Sequence, residues 1–382
     1  MENGKLLYAG PSANAPSTAG ATVTEAAVVM PGLWDCHVHF MGLIRPDLMA
    51  LVSEPVVTAT ARAVKDAERA LMAGVTSVRE VGGLGIYLAR SVLEGSVPGP
   101  HIYASGGVLS MTGGHGDIHA FPLDVLHAAE GASCLLALCD GVPECLHQVR
   151  LQLRLGARLI KICASGGVMS ELDHPIHQQF SDEEMRAIVE EAGRAERIVA
   201  AHCHGKPGIM AALRAGVKTI EHGSFLDEES AAEMVKRGAM LIPTRFIVEH
   251  LLKMKASMPD YAFRKLSALA DRHAEAMRIA FEHGVKIAAG TDIFVSGAAT
   301  WGRNGLEASY LVKAGMTPLQ AIEAATANAP DTLGPQAPKS GVLAAGFDAD
   351  VIALEANPLE DISVLGNAAQ VVGVWKAGSR VK

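Results

Sequence analysis

Aromatic residues are scarce in this chain of 382 residues, 4% against 49% hydrophobic. Its core must therefore be aliphatic and alanine-rich, which suits buried parallel strands covered by helices. Positive charge is also in deficit: 33 Lys and Arg face 41 Asp and Glu, a formal charge of −8. Neither a nucleic acid nor an anionic membrane surface is attracted by that balance, so no such partner is expected. No window reaches the uninterrupted apolar length of a membrane helix. The first thirty residues, which include Glu2 and Lys5, contain no long apolar run of a secretion signal. The expectation is a soluble, cytoplasmic protein acting on a small molecule. The cysteines are Cys36, Cys134, Cys139, Cys145, Cys163 and Cys203, with no C-x-x-C pair among them. Three of them fall in apparent strands, where cysteine is a small buried hydrophobe. Cys134, Cys139 and Cys145 cluster at a loop and helix start, where a metal site or a bridge stays open beside a plain structural role.

What is present is a repeated unit: an amphipathic helix, a glycine that ends it, then a short apolar strand. It occurs at Gly74 before Val75–Val78, at Gly156 before Leu159–Ile162, and at Gly216 before Val217–Ile220. Gly238 before Met240–Ile242 and Gly284 before Val285–Ala288 repeat it. With strands at His37, at His101–Ser105 and at Ile198–His202, the count reaches eight. Alternating strands and helices imply a parallel sheet, and eight such units close into a (β/α)8 TIM barrel whose site lies at the C-terminal strand ends. A doubly wound open sheet is the rival, but no G-x-G-x-x-G follows the first strand. Both termini read differently, as short strands with turn residues, among them Lys5–Gly10, Asp348–Leu354 and Val371–Gly378. We expect residues 1–30 and 339–382 to pair into a small discontinuous β-sandwich-like domain, with residues 31–338 forming the barrel.

The polar residues fall at the strand ends. His37 and His39 are one residue apart, and positions i and i+2 of a strand face one side, so both imidazoles can reach one metal ion. Lys161 sits between isoleucines, where an unpaired ammonium is unfavourable. Either a barrel carboxylate pairs with it, or carbon dioxide has converted it to a carbamate able to bridge two metals. His202, His222 and Asp292 close strands five, six and eight. One histidine at a strand end is more often a satisfied core residue; six metal-ligand types on one rim are not explained that way.

These motifs resemble the amidohydrolase superfamily: His-x-His on strand one, Lys on four, His on five and six, and Asp in Gly290-Thr291-Asp292 on eight. Gly113-Gly114-His115-Gly116-Asp117, Ala164-Ser165-Gly166-Gly167-Val168-Met169-Ser170 and Thr326-Ala327-Asn328-Ala329-Pro330 extend the likeness to its ochratoxinase, prolidase-like and carboxypeptidase-like members. The resemblance implies two divalent metal ions, with zinc the expected identity. His37, His39 and Asp292 would hold the more buried ion, His202 and His222 the more exposed one, and N-carboxylated Lys161 would bridge them. Such a pair makes a nucleophile from water at neutral pH and polarises the scissile carbonyl. Asp292 would take the nucleophile's proton and pass it to the leaving amine. His115 is expected as a catalytic donor to the carbonyl oxygen, or else as a loop brace through Asp117. His204 shares a face with His202 and would act behind the metal or on substrate. Arg245 would pair with a substrate carboxylate or form a surface ion pair, and Glu171–His177 reads as a lid. The implied activity is hydrolysis of the amide in N-acyl amino acids or dipeptides, ochratoxin A to ochratoxin alpha and phenylalanine included. Opening of a cyclic amide, imidazolone or lactone on the same site is the alternative, and a non-catalytic metal-binding scaffold is the reading of another class. Self-association follows from the resemblance alone.

Overall fold

The computed structural model describes every residue except Thr18, Cys134 and Leu135, and for residues 130–133 the backbone alone. Helices end where the glycines stand: Gly156 and Gly216 are left-handed, at φ 98° and 100°, so the chain reverses there and enters the next strand. Fifteen strands follow in chain order: β1 (Val28–Pro31), β2 (Leu33–Leu43), β3 (Val75–Glu80), β4 (His101–Ala104) and β5 (Val108–Ser110). Next come β6 (Leu136–Leu138), β7 (Ile160–Cys163), β8 (Val199–Cys203), β9 (Thr219–His222) and β10 (Met240–Ile242). The last five are β11 (Lys286–Ile287), β12 (Ile293–Val295), β13 (Val351–Leu354), β14 (Val371–Lys376) and β15 (Ser379–Arg380).

Eight of the barrel's positions are occupied, but two of its strands are split. β12, β2, β3 and β4 form one parallel sheet, and β11, β10, β9, β8, β7, β5 and β6 form the other. The third barrel strand is β4 followed by β5, interrupted at Gly106, whose φ is +75°. The eighth is β11 followed by β12. Backbone bonds bridge both seams: Arg158 N donates to Ala104 O at 2.8 Å, Cys36 N to Ala289 O at 2.8 Å and Asp292 N to His37 O at 2.7 Å. The result is a (β/α)8 barrel. The periodicity indicates only the first halves of the split strands, because glycine and short apolar runs carry no clear alternation there. β6, an additional rim strand on β5, has no counterpart in the sequence reading.

The termini build a separate antiparallel sheet in the order β1, β13, β14, β15, with Met30 opposite Ile352 and Ile352 opposite Val374. The expected strand at Lys5–Gly10 does not form. Only Lys5 makes bridge contacts, with Glu2 and Asp348. Leu6 is buried against Ala349 and Val351, whereas Leu7 is exposed, so one apolar side chain is too little to hold a strand. Among the described residues no helix is long and apolar enough to cross a membrane.

Candidate active site

β2 alternates, so His37 and His39 point to the barrel mouth together. His37 Nδ1 donates to Glu221 Oε2 at 2.6 Å, and His39 Nδ1 to the carbonyl of Gly82 at 2.7 Å. Carboxylates and carbonyls only accept, so each ring keeps a bare Nε2. Both Nε2 atoms approach Asp292 Oδ1, at 3.5 and 3.1 Å, and the three side chains form a group able to hold a metal ion. Asp292 reaches them from a left-handed backbone, φ 59°. Asp35 fixes that turn by accepting bonds from Thr291 N at 3.0 Å, Thr291 Oγ1 and, at 2.7 Å, Asn304 Nδ2. Gly290 has to be glycine: a Cβ there would lie 2.4 Å from Ile242 Cγ2 and 2.8 Å from His37 Cβ.

A second group, His202, His204 and His222, closes on the other side. His202 Nε2 donates to Gly166 O at 3.2 Å, which leaves its Nδ1 for a ligand. His204 Nδ1 meets Ser224 Oγ and His222 Nδ1 meets Thr244 Oγ1, each at 2.7 Å, so their Nε2 atoms are free. His204, expected behind the metal or on substrate, is therefore also placed where it can ligate. Burial, the leading cause at every one of them, holds His37, His202, His204 and His222 well below the ordinary histidine range. Neutral imidazole is the metal-binding form.

Between the groups lies Lys161, 2% exposed, its Nζ 3.5 Å from His37 Nε2. Among the described residues no carboxylate comes within ion-pair distance of it. The barrel-carboxylate pairing considered from sequence is thus not formed, and burial lowers the amine's pKa. A buried ammonium without an anion is strongly unfavourable. A lysine converted to an anion and shared by two cations removes that difficulty, so this donor set fits a pair of divalent metals.

His115 lies in the loop after β5, its ring stacked on His202 with centroids 4.1 Å apart. Its Nδ1 meets Ser170 Oγ at 2.8 Å and its backbone N–H donates to Gln179 Oε1 at 2.9 Å. Asp117 braces the loop through Gly113 N, at 2.8 Å, and does not hold the imidazole. Arg245 faces elsewhere: Nη2 donates to Glu249 Oε1 at 2.7 Å, Nη1 donates to Ala270 O, and the residue does not line the cleft. No residue of Glu171–His177, the expected lid, lines the cleft. Cys139 and Cys145 are buried and free, their sulfurs 3.7 Å apart, and Cys134 is outside the described residues.

Sequence reasoning missed Glu221, Arg79 and His273. Arg79, wholly buried, grips Glu221 through Nη2 at 2.7 Å to each carboxylate oxygen and donates from Nε to Cys36 O. A charged residue inside each of two apolar strands was the available signal. His273, in the helix Asp260–Glu282, lines the cleft while its Nε2 donates to Pro243 O at 2.6 Å; nothing in its helical surroundings marks it. Above the ligands the cleft walls are apolar, with Met41, Leu48, Ile118, Val168, Leu251 and Phe294 among them. A site with metal ligands at the floor and an apolar mouth can polarise a carbonyl while binding apolar groups on either side of it.

A barrel with this donor set defines a metal-dependent hydrolase. Residues 28–381 match the model of the Amidohydrolase family, and the chain belongs to that family of hydrolases acting on amide bonds. Its members use divalent metal ions, which the two ligand groups are able to hold. Ochratoxinase from Aspergillus niger is 45% identical over 369 residues, covering 93% of this chain and 76% of the relative. The crystal structure of A. niger ochratoxinase superimposes with a TM-score of 0.92 at 44% identity, covering 99% of this chain and 90% of that one. A prolidase complexed with N-methylphosphonate-L-proline superimposes at 0.86 and 35% identity, covering 93% and 86%.

Proposed function

We propose that this chain is a binuclear, carboxypeptidase-like amidohydrolase that releases an amino acid from N-acyl amino acids or dipeptides. Ochratoxin A, an amide of phenylalanine, is a candidate substrate because of the likeness to A. niger ochratoxinase. The observation that carries the reading is Lys161, buried without an ion-pair partner between two groups of metal-ligand side chains beneath an apolar cleft. His37, His39 and Asp292 would hold one ion, His202 and His222, with His204 in reach, the other, and N-carboxylated Lys161 would join them. Zinc is the proposed identity, since imidazole and carboxylate ligands suit it. The ions supply a nucleophile from water at neutral pH and polarisation of the scissile carbonyl. Asp292, the most exposed of the ligands at 19%, lines the cleft and takes the nucleophile's proton at a carboxylate oxygen, then returns it to the leaving amine. The apolar walls orient the acyl group and the amino-acid side chain and exclude bulk water. No free guanidinium lines the cleft among the described residues, so Arg245 is not proposed as the anchor of a substrate carboxylate.

The test is phenylalanine release from ochratoxin A by purified protein, with a chelated sample beside it. Release that stops on chelation is the expected result. No release from protein carrying two metals per chain would move the specificity to other acyl groups or to cyclic amides and lactones, which a substrate panel would separate.

A further inference from the structure

The loop after β7 packs directly against His115. Gly167 lies flat on the imidazole: a Cβ there would come within 2.1 Å of His115 Cε1 and Nδ1, so the ring is held between this backbone and His202. At the ring's edge a chain of buried groups begins. His115 Nδ1 meets Ser170 Oγ, Ser170 donates to Asp173 Oδ1, and Asp173 Oδ2 accepts from Gly167 N at 3.1 Å and Gln179 Nε2 at 3.0 Å. Lys265, from the helix Asp260–Glu282, ties the loop down. Its Nζ donates to Asp173 Oδ1 at 3.1 Å and to the carbonyls of Gly167 at 3.2 Å and Ser170 at 2.8 Å.

The direction of each bond follows from its far end. Asp173, paired with an ammonium, is a carboxylate and can only accept. Ser170 has one hydroxyl proton, and Asp173 takes it, so toward His115 the Ser170 oxygen can only accept as well. His115 therefore donates from Nδ1, and a neutral ring that does so carries no proton on Nε2. We propose that Ser170, Asp173 and Lys265 are positioning residues that present His115 Nε2 to the cleft as a hydrogen-bond acceptor, so that the site reads the N–H of a secondary amide. This rests on the amide-hydrolase reading above and replaces the carbonyl-donor role expected for His115 from sequence. It also sets this chain apart from its prolidase neighbour, since an acyl-proline bond has no N–H to offer.

The discriminating pair is N-benzoylphenylalanine and N-benzoyl-N-methylphenylalanine, with kcat and KM measured on metal-loaded wild type, Ser170→Ala and Ser170→Thr. Wild type should favour the secondary amide by about 10- to 100-fold in kcat/KM, the effect of leaving one buried acceptor unpaired. Ser170→Ala frees the ring to take the other tautomer, so the preference should shrink several-fold at unchanged metal content. Ser170→Thr should restore it. Equal rates on both amides by wild type would overturn the proposal without any variant, and so would an undiminished preference in Ser170→Ala. Failure of metal-loaded wild type on both compounds and on ochratoxin A would instead remove the linear-amide reading, and this inference with it.

Discussion

The two ligand groups differ in what stands behind them. Behind His37 is a charged chain, Glu221 and then Arg79, both fully buried, and Asp292 is set by a turn tied to the buried carboxylate of Asp35. Behind His202, His204 and His222 stand a backbone carbonyl and two hydroxyls, from Gly166, Ser224 and Thr244. A carboxylate partner raises the basicity of an imidazole and locks its tautomer; a hydroxyl, which can turn, does less of both. One barrel thus offers one rigid, strongly donating group, whose His39 and Asp292 are partly exposed, and one more adaptable group that is fully buried, the reverse of the depths expected from the resemblance. Ions held there would be gripped unequally, more firmly by the first group than by the second.

The largest effects should come from residues that serve both sides of the division. Asp292→Asn keeps the shape of the turn but removes the carboxylate proposed to carry the proton. Turnover should fall about 1,000-fold with metal content retained, and wild-type-like rates would remove Asp292 from that role. Lys161→Ala should lose at least one metal and recover part of its activity with added short carboxylates. Full metal occupancy without them would refute a bridging lysine. The comparison itself is tested by paired variants. Glu221→Gln should weaken metal binding by about 10- to 100-fold and, by leaving buried Arg79 unpaired, destabilise the fold by roughly 3–5 kcal/mol. Thr244→Val on the other side should change affinity by less than about tenfold. Equal losses measured by metal titration would show that the two groups are braced alike.

Much of this site is legible in the chain because its ligands sit where local rules place them. Strand alternation puts His37 and His39 on one side, and helix-ending glycines locate the strands that carry Lys161 and His222. The supports are illegible for the opposite reason. Arg79 and Glu221 are 142 residues apart, and Asp35 and Asn304 are 269 apart. Such pairs meet only because the barrel closes, and closure fixes no local pattern. Arg245 shows the limit from the other side: a cation one turn past a strand end looks like a substrate anchor, yet the same helix supplies Glu249 at i+4 and takes the guanidinium away. The split strands were missed for a related reason, since the residues that let β4 pass into β5 and β11 into β12 are glycines and short polar segments with no periodicity of their own.

A pH-dependent effect belongs to the start of the helix behind Thr244, where the neutral side of the comparison meets a buried acid. Thr244 is left-handed, φ 58°, and the next two backbone N–H groups, of Arg245 and Phe246, donate to Glu307 at 2.9 and 2.7 Å. Glu307 is 1% exposed, and burial pushes its carboxyl up to about 8 in spite of those bonds. In the unfolded chain the same group ionises near 4.5. Between these values the fold binds a proton that the unfolded chain has lost, so stability is full below the lower value and falls as pH rises toward the upper one. The span corresponds to a loss on the order of 5 kcal/mol by pH 8. Glu307→Gln resembles the protonated acid at every pH. Its melting temperature should therefore lie slightly below wild type near pH 5, for want of one acceptor, and fall less steeply from there to pH 8. Parallel curves for the two proteins would show that Glu307 is ionised in the fold, and that a carboxylate stands behind the second ligand group as it does behind the first.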